Sequence, residues 1–204
     1  MITKKITYIN DDNFEFTFKP IEDTIKIKKT KEGYEARYII QDMDTSYNPF
    51  EDEEGNGNFY HWKDYGREQL EKYCDLLGYN IDTREKIRKD NIDAVRIDKY
   101  EHTLIYYSVA EEGRQCRWDT SNSWAVWYPD NILIEELKGL KGKARRKKVL
   151  EYARQACKLV NQWTNGEVYC LVKEVYNKNK EKIDYDVIGG YFGYDYAVKA
   201  LETE

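Results

Sequence analysis

The chain has 204 residues and a mass of 24.4 kDa, with 33 Lys and Arg against 38 Asp and Glu, for a formal net charge of −5. That length supports one core-forming domain or a tight pair of lobes, and a pI near 5.3 argues against a generic polyanion binder. Only 3 Pro and 12 Gly exclude a collagen-like or linker-dominated chain, and its apolar runs fall far short of the ~20 residues needed to span a bilayer.

The N-terminus, Met1 to Tyr8, has no continuous apolar stretch behind Lys4 and Lys5. It is not read as a signal peptide, so the chain is expected in the cytoplasm. Phe14, Phe16 and Phe18 then share one strand face, with Glu15, Thr17 and Lys19 opposite. Thr24 to Lys28 repeats the alternation, and Tyr34 to Gln41 makes a third strand. The opening is expected to be an antiparallel meander with one wet face.

Residues 42–58 carry six acids and no base, with one Pro and two Gly, and read as a loop. Tyr65-Gly66-Arg67 to Leu77-Gly78 is helical in pattern, with Leu70, Tyr73, Cys74 and Leu77 on one side and Gly78 placed to end it. Ala94 to Ile97, His102 to Val109 and Trp124 to Tyr128 read as strands, the last stopped by Pro129. Asp130 or Asn131 caps a short helix through Leu137. Residues 143–163 predict one long amphipathic helix, on which Val149, Ala153, Ala156, Val160 and Trp163 form a single stripe.

Glu167 to Tyr176 and Lys182 to Ile188 read as a hairpin, and a short helix follows Gly193-Tyr194-Asp195. The fold class is therefore α+β, with antiparallel sheets and three or four helices in a single domain over 1–204. That domain has room for an N-terminal meander lobe (1–60) and a C-terminal lobe (91–204).

Four features invite chemistry. Asp42, Asp44, Ser46, Asn48 and Glu53 have the ligand spacing of a calcium loop, but Tyr47 stands where a turn needs Gly, and the flanks are not helical. A solvated acidic loop without metal is the simpler reading. From Lys138 to Lys158 there are nine bases against Glu151 alone, a net of +8 that leaves −13 for the rest of the chain. Such segregation would let the helix start dock on phosphates, although Lys141 and Lys143 oppose the helix dipole. Cys116 and His102 could be drawn as nucleophile and base, but nothing in the sequence brings them together. Cys74, Cys116, Cys157 and Cys170 form no closely spaced pair, so a zinc site is not expected.

Gln115-Cys116-Arg117-Trp118-Asp119-Thr120-Ser121, Trp124 to Asp130, Asn165-Gly166-Glu167-Val168-Tyr169 and Gly190 to Tyr196 occur in this order. Together they resemble a family of small accessory proteins of tailed bacteriophages and integrated mobile elements, over roughly residues 100 to 196. The resemblance implies no catalytic residues and no cofactor. It does imply a context in which such proteins inhibit bacterial defence.

The expected function is therefore non-enzymatic inhibition of a CRISPR–Cas or restriction system, with a host defence protein or nuclease complex as partner. In this reading Asp42, Asp44, Glu51, Asp52, Glu53 and Glu54 mimic nucleic-acid phosphates, and Tyr47, Phe50 and Tyr60 supply aromatic anchors. The alternative is a nucleic-acid- or nucleotide-binding protein. It would use Lys141, Lys143, Arg145, Arg146, Lys147 and Lys148 together with Trp118, Trp124 and Trp127 as stacking surfaces.

Overall fold

The computed structural model describes residues 6–9, 15–18, 20–21, 24–44, 47–51, 54–62 and 66–203, the first two stretches as backbone. Phe14 and Lys19 of the first expected strand lie outside these residues. The fold is α+β, with two four-stranded antiparallel sheets and four helices among the described residues. The chain divides into two compact units, one formed by 1–45 with 166–204 and the other by 46–165.

In the first unit, β1 (Ile6–Ile9) and β2 (Glu15–Phe18) pair with each other. β3 (Ile25–Lys29), β4 (Gly33–Gln41), β9 (Val168–Asn177) and β10 (Lys182–Phe192) form a sheet in the order β10-β9-β4-β3. This differs from the expected meander. β4 buries residues on both faces, Tyr34, Ala36 and Tyr38 on one and Ile39 on the other. A strand apolar on both sides belongs inside a sheet, and β4 gains its second neighbour from β9, with Ile39 opposite Leu171. Sequence-distant segments thus share one unit, and the unit boundaries follow this pairing rather than residues 60 and 91. The last helix, α4 (Tyr194–Thr203), covers Ile39, Tyr169 and Leu171 with Ala197 and Leu201.

In the second unit the strand order is β5-β8-β6-β7, from β5 (Asn58–His61), β6 (Val95–Glu101), β7 (Ile105–Val109) and β8 (Thr120–Tyr128). β5 begins at Asn58, the last residue of the stretch expected to be loop. Alternation along β8 sorts its side chains between two helical layers. Val126 packs with α1 (Arg67–Leu77), while Ala125 and Trp127 pack with α2 (Asn131–Glu136) and α3 (Gly142–Thr164). Gly78 ends α1 at φ 66°, a left-handed conformation that an L side chain disfavours. α3 spans 23 residues and buries Val149, Ala153, Ala156, Cys157 and Val160, with Trp163 half-buried one turn further on.

α3 also closes the outer edge of this sheet. Asn161 accepts from the Tyr107 N–H (2.6 Å) and donates to the Tyr107 carbonyl (2.9 Å). One turn later Asn165 repeats the pattern on Ile105, at 3.2 and 2.7 Å. Two side-chain amides spaced i, i+4 on one helix face thus satisfy alternate residues of an edge strand.

Replacing Asn161 by Ala removes its two hydrogen bonds to the Tyr107 backbone and is expected to destabilise the protein by about 1–3 kcal/mol. Urea unfolding measures this, and the same substitution at Asn165 should act in the same direction.

Candidate functional site

The acidic loop is held by its own polar groups and by the start of α2. The Asn48 side chain accepts from the Phe50 N–H (3.0 Å), and its carbonyl accepts from Glu51 (3.0 Å), which closes a tight turn. Asn56 donates to the Pro49 carbonyl (2.9 Å), and its own carbonyl accepts from Nε1 of Trp127 (3.0 Å). Trp127 is fully buried. Gly57 lies against it at φ 72°, and a Cβ there would come within 2.5 Å of the indole, so both conformation and space demand glycine.

The strongest tie is Asp130. One carboxylate oxygen accepts from Leu133 N–H (3.0 Å) and caps α2. The other accepts from Gly55 (2.7 Å) and Gly57 (2.9 Å). Burial alone would raise the pKa of this carboxyl, but its backbone donors, Leu133 first and then Gly57 and Gly55, outweigh it and hold it below the ordinary 3.8.

This loop forms one wall of a cavity of about 440 Å³, opposite β7 and the C-terminal turns of α3. Phe50, Phe59, Tyr107, Val160 and Trp163 supply apolar surface, and Glu51 stands among the lining residues with its side chain exposed. Phe50 and Phe59 meet edge to face, with centroids 5.1 Å apart and planes at 89°. His61 also lines the cavity. Burial first, and the charge of Lys99 second, push its imidazole down to about 4, so it is neutral near pH 7. Sequence reasoning missed Phe59, His61, Tyr107 and Trp163. The aromatic run Phe59-Tyr60-His61-Trp62 directly after the loop was the signal available.

The expected binding residues are divided between the two units. Asp42 and Asp44 belong to the first unit, where the Asp42 N–H donates to the Val168 carbonyl (2.8 Å) and its carboxylate accepts from Asp44 N–H (2.9 Å). Glu51 and Glu54 belong to the second unit and are exposed, while Asp52 and Glu53 lie outside the described residues. Ser46 of the calcium-like spacing also lies outside them, and the Asn48 oxygen already serves the turn. Among the described residues no group of three or more His, Cys, Asp or Glu is arranged to hold a metal. The aromatic anchors are each partly buried. Tyr47 is half-buried, Phe50 lies on Phe59, and Tyr60 packs in the α1 cluster, where burial raises its pKa.

The basic segment is largely committed to the fold. Arg145 makes a two-pronged contact with buried Asp93 (2.7 and 2.6 Å) and donates to the Leu137 carbonyl (2.8 Å). Arg146 donates to the carbonyls of Ile92 (2.9 Å) and Ala94 (2.8 Å). Lys148 pairs with Glu151 (3.0 Å), and Arg154 with Glu112 (2.7 Å). Lys141, Lys143 and Lys147 are exposed.

The expected stacking surface is corrected in the same way. Trp127 is core, and Trp124 is half-buried with the Lys99 ammonium 4.7 Å from its ring. Trp118 alone of the three is open, 83% exposed, with the Arg117 guanidinium 5.2 Å from its ring. Trp118 neighbours Asp119, whose carbonyl takes the Glu101 N–H near the Asn165 end of α3. Arg146 sits toward the opposite end, and the helix rises roughly 30 Å between the two. Trp118 and the lysines at the start of α3 are therefore not one surface.

Cys116 and His102 do approach a common group. The thiol donates to Asp119 Oδ2 (3.2 Å), and His102 Nδ1 lies 3.8 Å from the same oxygen. The carboxylate is the thiol's acceptor, whereas nucleophilic catalysis would need the imidazole there. Cys74, Cys157 and Cys170 are buried, and burial raises all three thiols, Cys157 and Cys170 to about 12.

Two results are expected from altering the loop's supports. Asp130→Asn leaves donor facing donor either at Leu133 or at Gly55 and Gly57, so amide exchange on one of the two sides should accelerate, with a loss of about 1–2 kcal/mol by urea unfolding. Because the folded pKa of Asp130 is depressed, its contribution is present above pH 3.8 and is lost as the pH falls below that value. His61 acts at higher pH. Its folded pKa of about 4 lies below the ordinary 6.5, so stability falls as pH drops from 6.5 toward 4. His61→Gln should flatten that part of the stability–pH curve.

No protein-family model, no curated protein and no solved structure matches this chain.

Proposed function

We propose that this chain is a surface-binding accessory protein that inhibits a bacterial defence protein, of the CRISPR–Cas or restriction kind, by presenting a fixed acidic loop to a basic groove. The observation that carries this reading is the anchoring of the loop. Gly55, Asn56 and Gly57 are tied to Asp130 and Trp127, while Glu51 and Glu54 remain exposed. A loop anchored before binding at Gly55, Asn56 and Gly57 loses less conformational entropy there on association. Its carboxylates would steer a basic partner and give an association rate that falls with salt. The working acids are the run at 51–54. The resemblance to mobile-element accessory proteins favours a defence protein as the partner.

Expression of the chain in strains that each carry one defence system should restore plating of a sensitive phage in at least one of them. Glu51→Gln, Asp52→Asn, Glu53→Gln and Glu54→Gln combined should abolish the effect while leaving the urea midpoint close to that of the parent. Failure of the intact chain across the panel, or full inhibition by the quadruple variant, overturns the reading.

A further inference from the structure

The cavity beside the acidic loop has walls that suit a flat cation. Phe50 and Phe59 stand at right angles, and Tyr107 and Trp163 add two more aromatic side chains to the lining. The negative faces of such rings attract a guanidinium or ammonium group. Its volume of about 440 Å³ lies in the range of ordinary small-ligand sites.

The charges around the cavity agree. Glu51 is the lining residue with a carboxylate, and its side chain is exposed. His61 is held neutral by burial, so it adds no positive charge. Lys99, the nearest cation acting on His61, is itself paired with Glu101 at 2.5 Å. Of the two cationic side chains, arginine fits better. Its planar group stacks on aromatic faces and also meets a carboxylate edge-on through two N–H donors.

We infer that this cavity receives an arginine side chain from the partner's surface, with the guanidinium against Phe50, Phe59 and Trp163 and paired with Glu51. The inference rests on the reading above that the loop meets a basic protein. It adds the point at which that partner is gripped.

N-acetyl-arginine-N-methylamide is the probe, followed through the indole N–H signal of Trp163, assigned with Trp163→Phe. The arginine probe should shift that signal saturably, the lysine counterpart should bind more weakly, and the uncharged citrulline counterpart should not bind. Glu51→Gln should weaken arginine binding about tenfold, as expected for loss of one charge-assisted contact, and Phe59→Leu should remove it. Should Phe59→Leu fail to fold, Glu51→Gln decides alone, because its side chain is exposed. Equal binding of citrulline and arginine, no shift with either, or unchanged affinity in Glu51→Gln overturns the inference. If the arginine probe fails while the intact chain still inhibits a defence system, the cavity is excluded and the loop reading stands. If the probe binds but no system is inhibited, the cavity stands and the choice of partner falls.

Discussion

The second unit depends on one carboxylate. Asp130 accepts three backbone N–H groups from two segments far apart in sequence, the first turn of α2 and the Gly55–Gly57 turn. The position suits a negative charge for two reasons. It stands at a helix N-terminus, where the dipole and the unpaired amides favour an anion. Its two oxygens also give enough acceptor sites for three donors at once. An uncharged amide would supply one acceptor oxygen and introduce donors where the loop already offers donors. The Gly55–Gly57 end of the acidic loop is therefore held by the carboxylate of Asp130, which takes the loop's backbone N–H groups rather than its side chains.

Trp127 completes that constraint from below. Its ring is fully buried between the sheet and α3, yet its one polar atom reaches the Asn56 carbonyl at 3.0 Å. A buried indole N–H without an acceptor would be costly, so the core residue and the loop conformation require each other. Gly57 is the consequence, since only a residue without a side chain fits between the ring and a backbone at positive φ.

Part of the basic run is spent inside the fold rather than displayed on the surface. The two arginines nearest the start of α3 satisfy Asp93 and three backbone carbonyls between them, those of Leu137, Ile92 and Ala94. Planar guanidinium groups with five donors suit such inward work better than lysines, which are left at positions 141, 143 and 147 in solvent. The run looks like a phosphate-binding patch in one dimension because linear sequence records charge but not which side of the helix each side chain occupies.

Local pattern determined the α+β class, the C-terminal hairpin, the Gly78 helix end, a cap at Asp130 or Asn131 and the burial of Val149, Ala153, Ala156 and Val160. Each rests on neighbours within a few turns, so periodicity and capping chemistry suffice to read it. The acidic loop was legible as a loop, and its acids as candidates. Tertiary structure alone decided the rest. β4 pairs with β9 across some 130 residues of chain, and the amides of Asn161 and Asn165 close the edge of β7. Phe59, Tyr107 and Trp163 meet around one cavity although they come from two strands and a helix. None of these follows from sequence spacing, because partners are chosen by which faces remain unburied once each element has formed. Local interactions fix the elements, and competition for buried surface fixes their company.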